Sequence, residues 1–286
     1  MSEWLERRVI SFAHQGGSFE GPSSTLGAIA HALGVGASAI ELDVHATKDR
    51  HLVVCHDASV DRTTNGRGNI AGLTLSELAD MDNAYWWIEG ETVTRDRAPM
   101  EYLLRGRAPA DRAYAIATLD EVVASFPGVL LNLDIKGTSP FVEPYEGLLA
   151  SELRRLEITN SVIVASFHDE AIHRFRELAP GVATSGATNE TAVFYFSHLD
   201  GAPVAPPVAA LQVPSRYGEV EVVTESFVGA AHDAGVAVHV WTINERDEMA
   251  RLLELGVDGL VSDRPTVLAE LLNERGCAWD GHLAAR

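Results

Sequence analysis

Apolar residues fall along the chain in short runs, separated by longer stretches in which they recur every three or four positions. The short runs predict β-strands at 9–13, 39–44, 129–135, 161–166, 182–186, 209–213, 236–242 and 259–261. A further run at 52–55 extends or follows the second strand. The longer stretches predict helices at 24–33, 119–126, 143–156, 169–178, 190–197, 225–234, 245–255 and 266–274. Thr118 and Thr224 stand where hydroxyls cap opening turns, and Gly235 and Gly256 follow helices where a left-handed residue is expected. Eight strand–helix alternations predict an α/β chain with a parallel sheet, and eight is the number that closes a (β/α)8 TIM barrel. A doubly wound open sheet is the competing arrangement.

The rhythm breaks once. About sixty residues, 58–117, lie between the second strand and the next helix, a length that fits an inserted cap on a single barrel domain spanning 1–286. The insertion carries Tyr85, Trp86 and Trp87 with Arg95, Arg97, Arg105, Arg107 and Arg112. Those arginines fit either a solvated surface or a lid bringing positive charge and aromatic surface over an anionic substrate. The stretch 201–207, GAPVAPP, reads as a Pro-rich connector.

Charge narrows the partners. A net charge of -19 argues against nucleic acid and against static docking on anionic membranes. It leaves room for a small anionic substrate at a site that is locally positive or holds a cation. Two cysteines, Cys55 and Cys277, suggest neither a disulfide framework nor a thiolate metal cluster. There is no apolar signal core before Val9 and no uncharged apolar run of bilayer length. The expectation is a soluble cytoplasmic protein without stable membrane insertion.

The second strand carries the most chemistry. Glu41, Asp43 and His45 alternate with Ile40, Leu42 and Val44, so the polar set shares one face and the aliphatic set the other. In a barrel the aliphatics would meet the outer helices and the acids would point into the mouth. Two carboxylates that close lose hydration and repel unless compensated, and a divalent cation such as Mg2+ or Ca2+ is the simplest compensation. A half-exposed strand with two surface acids is the alternative. The third strand repeats the pattern: Asn132, Asp134 and Lys136 face away from Leu131, Leu133 and Ile135. Asp134 fits a third ligand and Lys136 a phosphate contact, or the two form a private ion pair. Two strand ends carry histidines, His14 and His56. At the C-terminal mouth of a barrel they suit general acid–base work, one activating a nucleophile and one protonating a leaving oxygen.

Taken together, these segments resemble the glycerophosphodiester phosphodiesterase family. The resemblance rests on His14-Gln15-Gly16, Pro22-Ser23-Ser24-Thr25, Glu41-Leu42-Asp43, His56-Asp57, the turn from Asp61 to Gly66, Asp134-Ile135-Lys136, Val240-Trp241-Thr242-Ile243-Asn244, and Val257-Asp258-Gly259 to Ser262-Asp263-Arg264-Pro265. It implies a capped (β/α)8 barrel that hydrolyses glycerophosphodiesters to sn-glycerol 3-phosphate and an alcohol with a divalent metal ion (Mg2+, Ca2+ or Mn2+). By position, the resemblance makes His14 and His56 the acid–base pair and Glu41, Asp43 and Asp134 the metal ligands. Gln15, Lys136 and Trp241 become substrate contacts.

Three departures bear on substrate. Gln15 stands where the family has arginine, Ser23-Ser24 where it has Glu-Asn, and Asp134 where it has glutamate. A lysophospholipid-cleaving phospholipase D-like relative is one alternative, which apolar cap surface near Trp86 and Trp87 would favour. A weakly catalytic phosphodiester-binding protein is the other.

Overall fold

A computed structural model describes residue 4 and residues 9–91, 93–137 and 145–277. The strands in chain order are β1 (Ile10–His14), β2 (Ala39–Ala46), β3 (Leu52–Val54), β4 (Leu130–Ile135), β5 (Val162–Ala165), β6 (Ala183–Thr184), β7 (Ala210–Pro214), β8 (Arg216–Tyr217), β9 (Val220–Glu221), β10 (Ala237–Trp241) and β11 (Gly259–Ser262). Eight of them run parallel in the order β6-β5-β4-β2-β1-β11-β10-β7. A single bridge between Ser185 and Ala210 joins the two ends, with Gly186 N donating to Ala210 O at 2.9 Å. The result is the expected (β/α)8 barrel, with its thinnest seam at β6, where two residues pair in place of the expected five.

The helices are α1 (Leu26–Val35), α2 (Leu75–Ala79), α3 (Leu119–Ser125), α4 (Tyr145–Arg155), α5 (Asp169–Leu178), α6 (Thr188–Leu199), α7 (Glu225–Asp233), α8 (Arg246–Glu254) and α9 (Pro265–Glu274). Thr118 caps α3 reciprocally with Glu121, and Thr224 caps α7. Gly235 and Gly256 have φ of 72° and 84°, the left-handed stop expected of them. The expected helix 24–33 starts later, at Leu26, because Thr25 is its cap and Ser24 turns the chain at φ 57°. Residues 143 and 144 of the helix expected at 143–156 lie outside the described residues. Among those residues no helix is long and apolar enough to cross a membrane.

Alternation along the strands sorts side chains as expected. Ile40, Leu42, Val44, Leu131, Leu133 and Ile135 face outward and pack with Leu149, Leu153, Ile172 and Phe175 of the surrounding helices. Each such side chain taken fully out of water stabilises the fold by about 1.5–3 kcal/mol. Inside, Ile10, Phe12, Ala39, Leu130, Ile163, Ala210 and Ala237 form an apolar plug with Trp4. The interior also holds a polar chain: Asn132 Nδ2 donates to Gln212 Oε1, and Gln212 Nε2 to His239 Nδ1, each at 3.3 Å. Burial pushes the His239 pKa down to about 3, so its imidazole is neutral. Gly259 is required there, since a Cβ would stand 2.8 Å from both His239 and Phe12.

β3 turns back antiparallel on β2 and leads into the insertion. That segment holds α2 and 3-10 turns at Ile70–Gly72, Pro99–Glu101 and Arg112–Tyr114. Five of its arginines, Arg95, Arg97, Arg105, Arg107 and Arg112, are committed within the insertion or to α3. Arg105 lies 4.5 Å from the ring centroids of Tyr85 and Trp86 and 3.7 Å from that of Tyr102. Arg95 covers Trp86, Arg107 covers Tyr114, Arg97 pairs with Glu91, and Arg112 with Glu121. The pattern gave no sign of the β8–β9 hairpin, because two-residue strands are too short to show alternation.

Candidate active site

Every residue expected at the site lies at the C-terminal end of the barrel. His14 ends β1 in register with Glu41, and Asp43 of β2 is in register with Asp134 of β4. Lys136 follows β4, Trp241 ends β10, and His56 follows β3 by one residue after Cys55.

His14 is held by an acid from the far end of the chain. Its Nδ1 lies 2.7 Å from Asp263 Oδ1, and against an ionised acceptor that nitrogen carries the proton. Asp263 also accepts from Ser18 Oγ at 2.6 Å and Asn244 Nδ2 at 2.7 Å. Burial pushes its carboxyl up, but the bonds from His14, Ser18 and Asn244 outweigh that and hold it below the usual range. The other imidazole nitrogen, Nε2, accepts from the Gln15 amide at 3.1 Å, while Gln15 Oε1 accepts from Ser23 Oγ at 2.5 Å. Gln15 N donates to Glu41 Oε2 at 3.0 Å. Gln15 therefore spends both ends of its amide on positioning. Gly17 (φ 90°) lets this loop pass against Pro265, whose Cγ would lie 2.7 Å from a Cβ.

His56 has a matching arrangement. Its Nδ1 is 2.6 Å from Asp57 Oδ1, and Arg62 Nε donates to Asp57 Oδ2 at 2.6 Å. Hydrogen bonds from His56 and Arg62 hold the Asp57 carboxyl well below the usual range. The two imidazoles stand nearly perpendicular with centroids 6.3 Å apart. Both line a cleft of about 210 Å³, together with Gln15 and Asp263 on the barrel side and Arg62 and Trp87 on the cap side.

Glu41, Asp43 and Asp134 are buried beside them. Burial and then mutual repulsion push the Glu41 pKa up to about 8 and that of Asp43 up to about 7, and burial raises Asp134. Lys136 Nζ stands 2.8 Å from Asp43 Oδ1 and 3.1 Å from Asp134 Oδ2. Burial opposes its charge, but Asp134 and Asp43 outweigh that and hold the ammonium above the usual range. The ion pair considered for Asp134 and Lys136 thus exists and extends to Asp43. Asp43 Oδ2 and Asp134 Oδ1 are buried with no hydrogen-bond partner among the described residues. Among those residues no three His, Cys, Asp or Glu side chains converge closely enough to grip a metal as they stand. In donor chemistry the three carboxylates fit a hard divalent cation, and the two orphaned oxygens are the atoms such an ion would satisfy. Trp241 packs edge-on against Phe167 at 5.5 Å. Trp241, Lys136 and the three carboxylates do not line the cleft.

Sequence reasoning missed the roles of Asp263, Asn244 and Arg62. One signal was available: Asp263 follows the last barrel strand directly, just as His14 ends the first.

A family model described as the glycerophosphoryl diester phosphodiesterase family matches residues 14–267. The glycerophosphodiester phosphodiesterase of Caldanaerobacter subterraneus subsp. tengcongensis is 28% identical over 269 residues, covering 94% of this chain and 100% of that one. The solved glycerophosphoryl diester phosphodiesterase domain of a Mycobacterium tuberculosis protein superposes with a TM-score of 0.75 at 18% identity, covering 92% of this chain and 98% of that one. An Oleispira antarctica phosphodiesterase, solved with the product sn-glycerol-3-phosphate, gives 0.68 at 23% identity, covering 93% and 97%. The structural likenesses carry the fold. Because the family match runs from the strand-end His14 to Val267, just past Asp263, the chain belongs to the glycerophosphoryl diester phosphodiesterase family.

Proposed function

We propose that this enzyme hydrolyses glycerophosphodiesters to sn-glycerol 3-phosphate and an alcohol, with residues 58–117 capping a single barrel. The observation that carries this reading is the histidine pair: each imidazole gives Nδ1 to a carboxylate and lines the same cleft. The product bound to the Oleispira antarctica neighbour supports sn-glycerol 3-phosphate as the retained half.

The proton inventory suggests the roles. With Nδ1–H on Asp263, His14 has its lone pair at Nε2. The Gln15 amide occupies it here, and the attacking hydroxyl of water or of the substrate's glycerol takes that place and gives up its proton to Nε2. Asp263 stabilises the imidazolium so formed. His56, oriented by Asp57, delivers a proton to the alcohol oxygen as its bond to phosphorus breaks. Glu41, Asp43 and Asp134 would hold the divalent cation, Mg2+, Ca2+ or Mn2+, which when bound supplies charge neutralisation at the phosphoryl oxygens. Asp263→Ala should lower kcat about 10²-fold or more with little change in KM, since it removes what fixes the tautomer of His14 and not a substrate contact. Steady-state kinetics on glycerophosphocholine check this, and a loss confined to KM would contradict it.

Substrate size separates this reading from the lysophospholipid one. Trp87 is buried and donates to Ser18 O at 3.0 Å, while Trp86 donates to Thr64 O at 2.9 Å under Arg95 and Arg105. These bonds and the overlying arginines take up much of the apolar surface that a long acyl chain would use at these two residues, which supports the smaller substrate. Glycerophosphocholine should be turned over at least tenfold faster than lysophosphatidylcholine at equal concentration. The reverse order would favour the lysophospholipid reading.

A further inference from the structure

We propose that Arg62, reaching in from the cap, is the guanidinium that grips the phosphoryl group of the substrate, the charge that Gln15 does not supply. The inference rests on the phosphodiester reading above and assigns a residue within the same site. A phosphodiester monoanion entering this cleft meets Asp263 and Glu91 in its lining, with Glu41, Asp43 and Asp134 close by. It therefore needs a cation there. Gln15 is neutral, and its amide is taken by His14 and Ser23. Lys136 is tied to Asp43 and Asp134 and does not line the cleft, and neither do the five arginines of the cap's aromatic cluster and its edges.

Arg62 meets each requirement. It lines the cleft beside His56, its side chain is 39% exposed, and its hydrogen bonds go to Asp57 alone. Those bonds use Nε and Nη2, so Nη1 has no partner among the described residues. Asp57 fixes the guanidinium plane and leaves the Nη1–Nη2 edge for two phosphoryl oxygens, the paired geometry at which arginine excels. The position is built in from below. Thr63 Oγ1 donates to Asn83 Oδ1 at 2.5 Å, and Asn83 Nδ2 donates to Ser23 O at 3.0 Å. The turn carrying Arg62 is thereby stitched to the loop that carries Gln15 and His14.

The test compares wild type, Arg62→Met, Arg62→Lys and Arg62→Met with Gln15→Arg, each checked for a cooperative thermal transition. Two readouts are taken: hydrolysis of glycerophosphocholine, and calorimetric binding of inorganic phosphate in EDTA. Arg62→Met should lower kcat/KM about 100-fold, chiefly through KM, and weaken phosphate binding at least tenfold. Arg62→Lys, which keeps the charge without the fork and serves if the methionine variant fails to fold, should lose about tenfold in kcat/KM. Adding Gln15→Arg to Arg62→Met should restore at least tenfold. Wild-type phosphate affinity in Arg62→Met would overturn the assignment. So would a loss in kcat alone that shifts the pH profile and is not rescued by Gln15→Arg, since Arg62 would then act only on His56 through Asp57. If wild type hydrolyses no glycerophosphodiester yet loses phosphate affinity on Arg62→Met, Arg62 stands and the functional reading falls. If wild type is active and Arg62→Met is unchanged in both readouts, Arg62 falls and the functional reading stands.

Discussion

Replacing either His14 or His56 by alanine should lower kcat on glycerophosphocholine by about 10³-fold or more while leaving the fold intact. General acid–base catalysis by one positioned side chain contributes about 10²–10⁴-fold. Neither imidazole belongs to the buried apolar core, and their side chains are 22% and 36% exposed. Removing them therefore costs little packing. The acids behind them keep other partners, Ser18 and Asn244 for Asp263 and Arg62 for Asp57, so neither carboxylate is stranded. The double variant should be little worse than the poorer single variant, because a base on the attacking oxygen and an acid on the leaving oxygen serve one displacement at phosphorus and act as a unit. Rates near wild type in either single variant, with its thermal transition preserved, would end the acid–base assignment.

Removing the divalent cation proposed for the three carboxylates should be about as damaging, and it carries a signature that does not depend on turnover. Glu41 titrates near pH 8 and Asp43 near pH 7 in the folded chain, above the ordinary values of 4.5 and 3.8. Burial is the main cause and the neighbouring acids the second. A raised carboxyl pKa means that the folded chain keeps protons the unfolded chain has shed. The stability this gives is fully present below about pH 4 and lost as pH rises through 7 to 8. A bound cation does at high pH what those protons do at low pH. Adding Mg2+, Ca2+ or Mn2+ to EDTA-treated protein should therefore raise the melting temperature more at pH 8.5 than at pH 5.5. Asp43→Asn should remove most of that shift and lower activity about 10²-fold or more. Full activity in EDTA, with no melting shift at either pH, would contradict the site.

Local periodicity carried much of this into the sequence. The alternation of Glu41 and Asp43 with Ile40, Leu42 and Val44 is a property of one strand, and it correctly separated mouth from helix layer. What depends on ring closure was not legible. His14 and Asp263 are 249 residues apart and meet only because β11 pairs with β1. Gln15 was visible as a neutral residue, but its role as the donor that positions His14 depends on a left-handed turn at φ 53° that spacing does not encode. The cap arginines split the same way. Arg95 and Arg105 sit on aromatic rings, and only the folded chain shows that, among the described residues, the arginine lining the cleft is Arg62, next to the turn's Asp61. Short-range pattern fixes which face a side chain takes, and long-range closure decides which groups meet across the mouth.

The central claim is hydrolysis of a glycerophosphodiester on its alcohol side, and phosphorus-31 NMR of glycerophosphocholine with the metal-loaded wild-type enzyme tests it most directly. The diester resonance should give way to that of sn-glycerol 3-phosphate, with one choline released per phosphate. An unchanged diester resonance over folded protein, or the appearance of phosphocholine with free glycerol, would contradict it.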